Sequence, residues 1–345
     1  MSRIIRCMLK KNAVWMPILT CTLLASLFIA GCGSSGGGGG TSGLSYTGLT
    51  TAAAIDDTNA SEIAANAYSS GNRGMVFGAI GSAAVNGPDL QPAGPGRLLL
   101  IDVVRIFQHS LEEIDYSAAS QNSASALHSA SGTIPGACGG QGSYAIQVDD
   151  VTGAFSGSLT FSSYCEEGTT INGKATFSGT VDLDSEQLEF FSMHFDSITG
   201  TSGSESFTLN GDVDVAVSGG SATMTMDMLI KDNTLDKVYK VEDYHLTVSE
   251  GWNYASISAS GKFYDPDYGY VTLSTESPLL IYSSGDYPSS GTLVLTGKTG
   301  SAGGPTRARL TAISADTCQI QADTDGDGSY DDYDSGIIPW EDLGA

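Results

Sequence analysis

Positive charge is what this chain of 345 residues most lacks: 15 Lys and Arg stand against 39 Asp and Glu. Arg3, Arg6, Lys10 and Lys11 lie within the first 31 positions, which contain no acid, so the rest of the chain holds 11 basic and 39 acidic residues, a net charge of −28. A surface of that sign argues against nucleic acid and anionic headgroups as partners. Cysteine is also scarce. After Cys32 there are only Cys138, Cys165 and Cys318, with no Cys-x-x-Cys pair and no Cys/His spacing for zinc. Long aliphatic runs are few beyond residue 30. With 44 Gly and 41% hydrophobic residues, the composition fits a sheet protein with enough apolar surface for a core, as one large domain or two small ones.

The one long apolar stretch, Ala13 to Ala30, follows the four basic residues. Positive charge ahead of a short apolar segment fits a signal peptide, although the stretch approaches the roughly 20 residues that span a bilayer. The residues Ile29-Ala30-Gly31-Cys32 close it. They resemble the lipobox of bacterial lipoprotein signals, which implies cleavage before Cys32, acylation of its thiol and attachment to a membrane. Gly33 stands where an aspartate would resemble an inner-membrane retention signal, which implies the outer membrane. Gly33 to Gly43 is almost entirely Gly and Ser, a flexible tether with an r.m.s. reach of roughly 18 Å. The expected division is a signal peptide at 1–31, lipidated cysteine and tether at 32–43, a helical and loop segment at 44–130, and a β-rich domain at 131–345.

Within 44–130, Asn59 to Tyr68 reads as a short helix with Asn59 as N-cap and Ile63, Ala64 and Ala67 on its apolar face. Arg97 to Ile114 shows helical periodicity through Leu100, Val103, Val104, Phe107 and Leu111. Residues 117–132, rich in Ser and Ala, read as linker. From Ser143 the period becomes two. Phe155, Leu159 and Phe161 alternate with Ser and Thr, and Leu209, Val213 and Val215 alternate with Asn210, Asp212 and Asp214. One face is apolar and the other wet, the pattern of an antiparallel sheet. Glycine recurs two positions after an apolar residue at Gly157, Gly179, Gly211, Gly261 and Gly297, which reads as a device for curling a long sheet. The expected fold is mainly β: a large curved meander of ten to twelve strands, half-barrel or sandwich-like, with one or two N-terminal helices packed on it. The apolar face is too rich in Ala and Gly for an outer-membrane barrel.

Cys138 and Cys165 bracket one expected hairpin and are placed to form a disulfide across its open end, leaving Cys318 as a buried thiol. The most specific chemical signal is Asp323-Thr324-Asp325-Gly326-Asp327-Gly328-Ser329. Carboxylates at loop positions 1, 3 and 5, then Gly at 6, match the front half of calcium loops such as the EF-hand, because alternate Asp side chains on a tight turn converge on a hard cation. The expected ligands are Asp323, Asp325, Asp327, Ser329 through its carbonyl, Asp331 and Asp334, with calcium as the ion. A plain acidic hairpin turn is the competing reading.

No catalytic constellation stands out. Gly33-Ser34-Ser35-Gly36-Gly37 and the run through Gly38, Gly40 and Gly43 match active-site patterns only within the tether, and Gly297-Lys298-Thr299 lacks the leading Gly of a phosphate loop. His109, His128, His194 and His245 are scattered and read as surface or packed residues. Trp252, Tyr254, Tyr264, Asp265, Asp267, Tyr268 and Tyr270 form an aromatic and acidic cluster of the kind that stacks on sugar rings. The blocks Tyr46-Thr47-Gly48 through Ala67, Asn172-Gly173 through Gly179, and Asp323 to Gly328 resemble uncharacterised proteobacterial lipoproteins with an acidic C-terminal loop. That resemblance implies no activity. The expected role is a non-enzymatic binding or structural module of the cell envelope with an unidentified protein or ligand partner. The alternative is a carrier holding an apolar ligand or lipid in the curled sheet, whose apolar face includes Met224, Met226 and Met228.

Overall fold

The structure is a computed structural model that describes residues 43–68, 127–166, 168–183, 187–218, 221–282 and 287–343. Cys32, most of the tether and the Arg97–Ile114 segment lie outside the described residues. Fourteen strands form one antiparallel sheet in strict sequence order. They are β1 (Leu127–Pro135), β2 (Gly139–Asp149), β3 (Ala154–Glu166), β4 (Thr169–Asp182), β5 (Gln187–Ser202), β6 (Glu205–Ser218) and β7 (Ser221–Asp232). The series continues with β8 (Lys237–Glu250), β9 (Tyr254–Asp265), β10 (Gly269–Tyr282), β11 (Ser290–Thr299), β12 (Pro305–Ser314), β13 (Thr317–Asp323) and β14 (Tyr333–Pro339). The meander is open, with β1 and β14 as its edges. Fourteen strands are two more than the upper expectation of twelve. β1 overlaps the stretch read as linker; it pairs with β2 over its full length and buries only Ala130 and Ile134.

Alternation places one face of every long strand in a single apolar cluster. Leu159, Phe195, Leu209, Phe263, Leu273, Leu295 and Ile320 are all fully buried, and Met224, Met226 and Met228 join them. The recurrent glycines serve three purposes rather than one. Gly157 and Gly179 are cross-strand partners of Phe177 and Phe155. A Cβ at either position would fall within 2.5 Å of the partner ring, so each glycine is the slot that the ring fills. Gly211 and Gly261 have φ of +135° and +143° and sit against the carbonyls of Asp227 and Asp243, at irregularities in the β7–β8 and β8–β9 registers. Such bulges raise local twist and bend the sheet. Gly297 serves the third purpose, admitting the N-terminal segment.

That segment enters beside the β9–β10 turn, where Leu49 N donates to Pro266 O at 3.2 Å. Regular pairing of β10 with β11 ends at Thr272 and Thr296, and residues 51–53 stitch the gap beyond. Tyr270 N donates to Thr51 O, Ala53 N to Tyr270 O, and Lys298 N to Ala53 O, at 2.7 to 2.9 Å. Ile55 N then donates to the buried Thr306 hydroxyl at 3.2 Å. A helix, α1 (residues 60–68), follows. Its cap is Asp56, not Asn59. Asp56 Oδ1 accepts from Thr58 N and Asn59 N, while Asn59 Oδ1 accepts from Asp56 N at 2.9 Å. This reciprocal arrangement is a capping box. Ile63, Ala64 and Ala67 are buried as the periodicity predicts, and Ala60 and Ala65 with them. Such small residues let the helix lie close to the sheet. Its last described residue, Tyr68, packs against Trp340, ring centroids 5.1 Å apart, near the opposite end of the sheet.

Cys138 and Cys165 form the expected disulfide, with Cα atoms 5.0 Å apart, across the end of the β2–β3 hairpin. Cys318 is a buried free thiol whose pKa is pushed up to about 12 by burial.

A Cβ at Gly297 would lie 2.4 Å from Ala53 O. Gly297→Val is therefore expected to displace residues 51–55 and to destabilise the domain by about 1–3 kcal/mol, as overpacking does. Urea denaturation combined with limited proteolysis of residues 44–68 checks this. An unchanged midpoint and an unchanged cleavage rate would show that the segment contributes nothing to stability.

Candidate functional site

The acidic loop joins β13 to β14 at the same end of the sheet as the β9–β10 turn. Burial of Cys318, Ile320 and Ala322 on β13 fixes the register that delivers Asp323 to the loop's base, where it is 1% exposed. Its carboxylate accepts three backbone N–H groups, from Gly326 at 2.7 Å, Asp327 at 3.2 Å and Gly328 at 2.9 Å. Gly328, with φ of +97°, makes the reversal that the loop pattern requires. Gly326 lies against the β11–β12 turn, where Gly304 N donates to Gly326 O and Ala302 N to Asp325 O.

Asp323, Asp325 and Asp332 bring one carboxylate oxygen each to within 4.8 Å of one another, a cluster that could hold a metal ion. Asp332 is the member that the sequence pattern missed. It has turned back across the loop, accepting from Thr324 N at 2.7 Å, Thr324 Oγ1 at 2.9 Å and Asp325 N at 3.2 Å. The carboxylates of Asp327, Asp331 and Asp334 are not part of that cluster. Asp327 Oδ1 accepts from Ser329 N at 2.7 Å, closing a local turn, and Asp331 is exposed. Asp334 lies on β14, where Gln319 Nε2 donates to it at 2.8 Å and Gly336 N at 2.8 Å. These hydrogen bonds, with the Gln319 amide first, hold the Asp334 carboxyl below its ordinary range, and those from Thr324 do the same for Asp332. The twelfth loop position therefore points along the sheet. The strand register of β14 positions it, and no helix follows to swing it inward.

The aromatic cluster of the sequence divides between opposite ends of the sheet. Trp252 and Tyr254 lie at the β8–β9 turn, whereas Tyr264 to Tyr270 form the β9–β10 end. At the latter, Asp265 is 2% exposed and faces α1: Asn66 Nδ2 donates to its carboxylate at 3.2 Å and Asp267 N at 2.9 Å. Glu62 accepts from the Tyr268 hydroxyl at 2.6 Å, and Asp267 pairs with Lys237 at 2.6 Å. Burial raises the Asp265 pKa above the ordinary carboxylate range, with smaller contributions from the charges of Asp267 and Glu62, against the pull of its hydrogen bonds.

Two histidines read as isolated acquire carboxylate partners: His194 Nδ1 lies 2.7 Å from Asp212, and His128 Nε2 lies 3.0 Å from Asp150. Cross-strand register lines up Thr176, His194 and Asp212 on the polar face. Thr176 and His194 also line a shallow trough of about 700 Å³ floored by Ser156, Ser158, Ser178 and Ser192. Hydroxyl, imidazole and carboxylate stand in the order of a hydrolytic triad. The strands beneath them are paired on both sides, which commits their N–H groups to the ladder and away from an oxyanion.

The chain matches no protein-family model, no curated protein and no solved structure.

The raised pKa of Asp265 carries a signed consequence. Its stabilising contribution is complete below the ordinary carboxylate pKa and is lost as pH rises through the raised value. Asp265→Asn keeps the acceptor for Asp267 N but cannot ionise. Thermal melts across the range from about pH 4 to about pH 8 should show a higher melting temperature for the variant at the neutral end and a flatter profile. Parallel wild-type and variant profiles would mean that Asp265 titrates as in the unfolded chain.

Proposed function

We propose that this protein is a lipid-anchored envelope module that binds or scaffolds rather than catalyses, tethered through Cys32 and stabilised by calcium at its C-terminal loop. The observation that carries the anchor is Ile29-Ala30-Gly31-Cys32, placed directly after a basic and then an apolar segment. Gly33 favours the outer membrane as its destination. A disulfide-closed β-domain accords with export, since such bonds persist in oxidising compartments. The commitment of polar-face N–H groups to strand pairing supports a non-enzymatic role. Cys32→Ala, or globomycin treatment of wild type, should abolish metabolic labelling with palmitate and leave the precursor uncleaved. Persistent labelling of the alanine variant would defeat the anchor.

Calcium is supported by the convergence of Asp323, Asp325 and Asp332 on one point, with the Asp323 carboxylate already ordered by the loop backbone. An ion there would relieve repulsion among the three. A ligand that binds only the native state stabilises by RT ln(1 + [L]/Kd), about 2.7 kcal/mol at a hundredfold excess over Kd. Millimolar calcium is expected to raise the melting temperature relative to EDTA at constant ionic strength. Asp325→Ala with Asp332→Ala should remove the difference, while Asp334→Ala keeps it. Magnesium should substitute poorly because it demands a tight octahedral shell. Coincident melting curves in EDTA and calcium would reduce the loop to an acidic turn.

A further inference from the structure

The chain contains one Asp–Pro peptide bond, Asp265–Pro266, and it lies at the β9–β10 turn. Pairing of Asp265 with Gly269 closes that turn, and burial of Phe263 and Val271 fixes its register. An Asp–Pro bond is more acid-labile than other peptide bonds. The aspartyl carboxyl can close onto its own backbone carbonyl, and the proline nitrogen, part of a tertiary amide, takes up a proton as it leaves.

Residues 46–49 grip both sides of this bond. The Tyr46 hydroxyl donates to Asp265 O at 3.0 Å and shares its proton with Leu49 O, also at 3.0 Å. Leu49 N donates to Pro266 O at 3.2 Å. A Cβ at Gly48 would lie 2.4 Å from Pro266 Cα, so the segment passes directly over the proline. The side chain of Asp265 is held separately: Asp267 N donates to Oδ1 at 2.9 Å, and Asn66 Nδ2 on α1 donates to Oδ2 at 3.2 Å. Asp265 is buried, which keeps solvent from the group. Among the described residues, the charged groups acting on it are Glu62 on α1, Asp267 in the turn and Lys237 on β8, with the hydroxyls of Tyr46, Tyr239 and Tyr268 nearby. Burial, helped by the two carboxylates, favours the protonated acid. Burial first, and then the charges of Asp265 and Asp267, push the Tyr46 pKa up to about 12, so its proton stays in place to be donated.

We propose that Asp265–Pro266 is a self-cleavage site. A lone pair on an Asp265 carboxyl oxygen attacks the backbone carbonyl carbon of the same residue. The Tyr46 hydroxyl donates to the carbonyl oxygen while that atom carries the charge of the tetrahedral intermediate. The C–N bond then breaks, its electron pair goes to Pro266 N, and the carboxyl proton follows. One piece ends in a cyclic anhydride at Asp265, and the other begins with the secondary amine of Pro266. Water opens the anhydride to two carboxyl groups, so the sum is hydrolysis of one peptide bond. Carrying nucleophile and carbonyl on one residue supplies proximity, and the fold adds the neutral acid and the oxyanion donor. The reaction happens once per chain and needs neither an ion nor an acyl group on Cys32. After the cut, β10 keeps its pairing with β9 and its bonds to residues 51–53, which hold the two pieces in one fold.

The test uses the full chain, purified in detergent, incubated between about pH 5 and about pH 8 and read by mass spectrometry under denaturing conditions. The expected result is a pair of fragments that meet at Asp265 and Pro266, formed at a first-order rate independent of protein concentration. At the acid end the folded chain should cleave about tenfold faster than the same chain in urea, and the rate should fall as pH rises and the acid ionises. Hydroxylamine should trap the anhydride as a hydroxamate on Asp265. Tyr46→Phe should slow the folded chain about tenfold and leave the rate in urea unchanged, while Asp265→Asn should remove fragments and hydroxamate together. Equal rates in the folded and urea-unfolded chains, no fragment beginning at Pro266, or a folded Tyr46→Phe chain that cleaves at the wild-type rate would each overturn the proposal. The comparison with urea needs the wild type alone, so it decides the matter even if a variant does not fold.

Discussion

A single antiparallel sheet has two faces and, in this chain, apolar side chains for only one of them. That constraint governs the rest of the structure. The apolar face must be removed from water by the chain itself, which requires the sheet to bend and requires something to lie against it. Bending comes from the bulges opposite Gly211 and Gly261 and from rings seated in the slots of Gly157 and Gly179. Part of the cover comes from residues 51–68, which bury Ala53, Ile55, Ala60, Ile63, Ala64 and Ala67 and also supply the hydrogen bonds lacking between the ends of β10 and β11. The same division leaves most of the polar face to Ser, Thr and Asp side chains.

The turns at one end are in effect a polar assembly. The β13–β14 loop leans on the β11–β12 turn through main-chain bonds to Asp325 and Gly326, and the β9–β10 turn holds α1 through Asp265 and Glu62. Asp323 illustrates the economy of this arrangement. One buried carboxylate organises three backbone N–H groups and presents an oxygen toward Asp325 and Asp332. The order of the loop therefore exists before any ion arrives, and binding would not have to supply the entropy of folding it.

Much of this was legible in the sequence because period two is a strong signal wherever bulky residues alternate with Ser and Thr. β3 to β9 follow it closely, and Cys138 and Cys165 meet because the hairpin between them is regular. The signal fades where side chains are small. β1 was hidden in a Ser/Ala stretch because Ala130 is its only buried residue before Ile134. Asp56 was overlooked as the cap because Asn59, nearer the apolar run, is an equally good capping type, and only geometry shows that the two bond reciprocally. Asp332 escaped because calcium-loop spacing assumes a helix after the loop. A strand follows here, which turns Asp334 toward Gln319 and lets Asp332 fold back. The pairing of His194 with Asp212 needed the β5–β6 register, which local pattern does not supply. The five glycines shared one spacing and served three purposes, since a glycine's neighbours across the strand are not in its own sequence window.

The strict sequence order of the meander has a kinetic consequence. Each strand finds its partner next to it along the chain, so closing each hairpin costs little loop entropy and the sheet can grow from either end as residues become available. The N-terminal segment is the exception. Its bonds to Asp265 O and Thr306 Oγ1 span 219 and 251 residues. In a chain that emerges amino end first, those residues leave the exit site before the sheet and must wait for their partners at β9 to β11 and, in the case of Ile55, for β12. Until then the part of the apolar face they cover lies open. Completion of the fold is thus set by the arrival of the later strands rather than by the growth of the sheet, and a chain halted before β9 would keep its earlier hairpins while the amino-terminal segment still lacked the strands it bonds to.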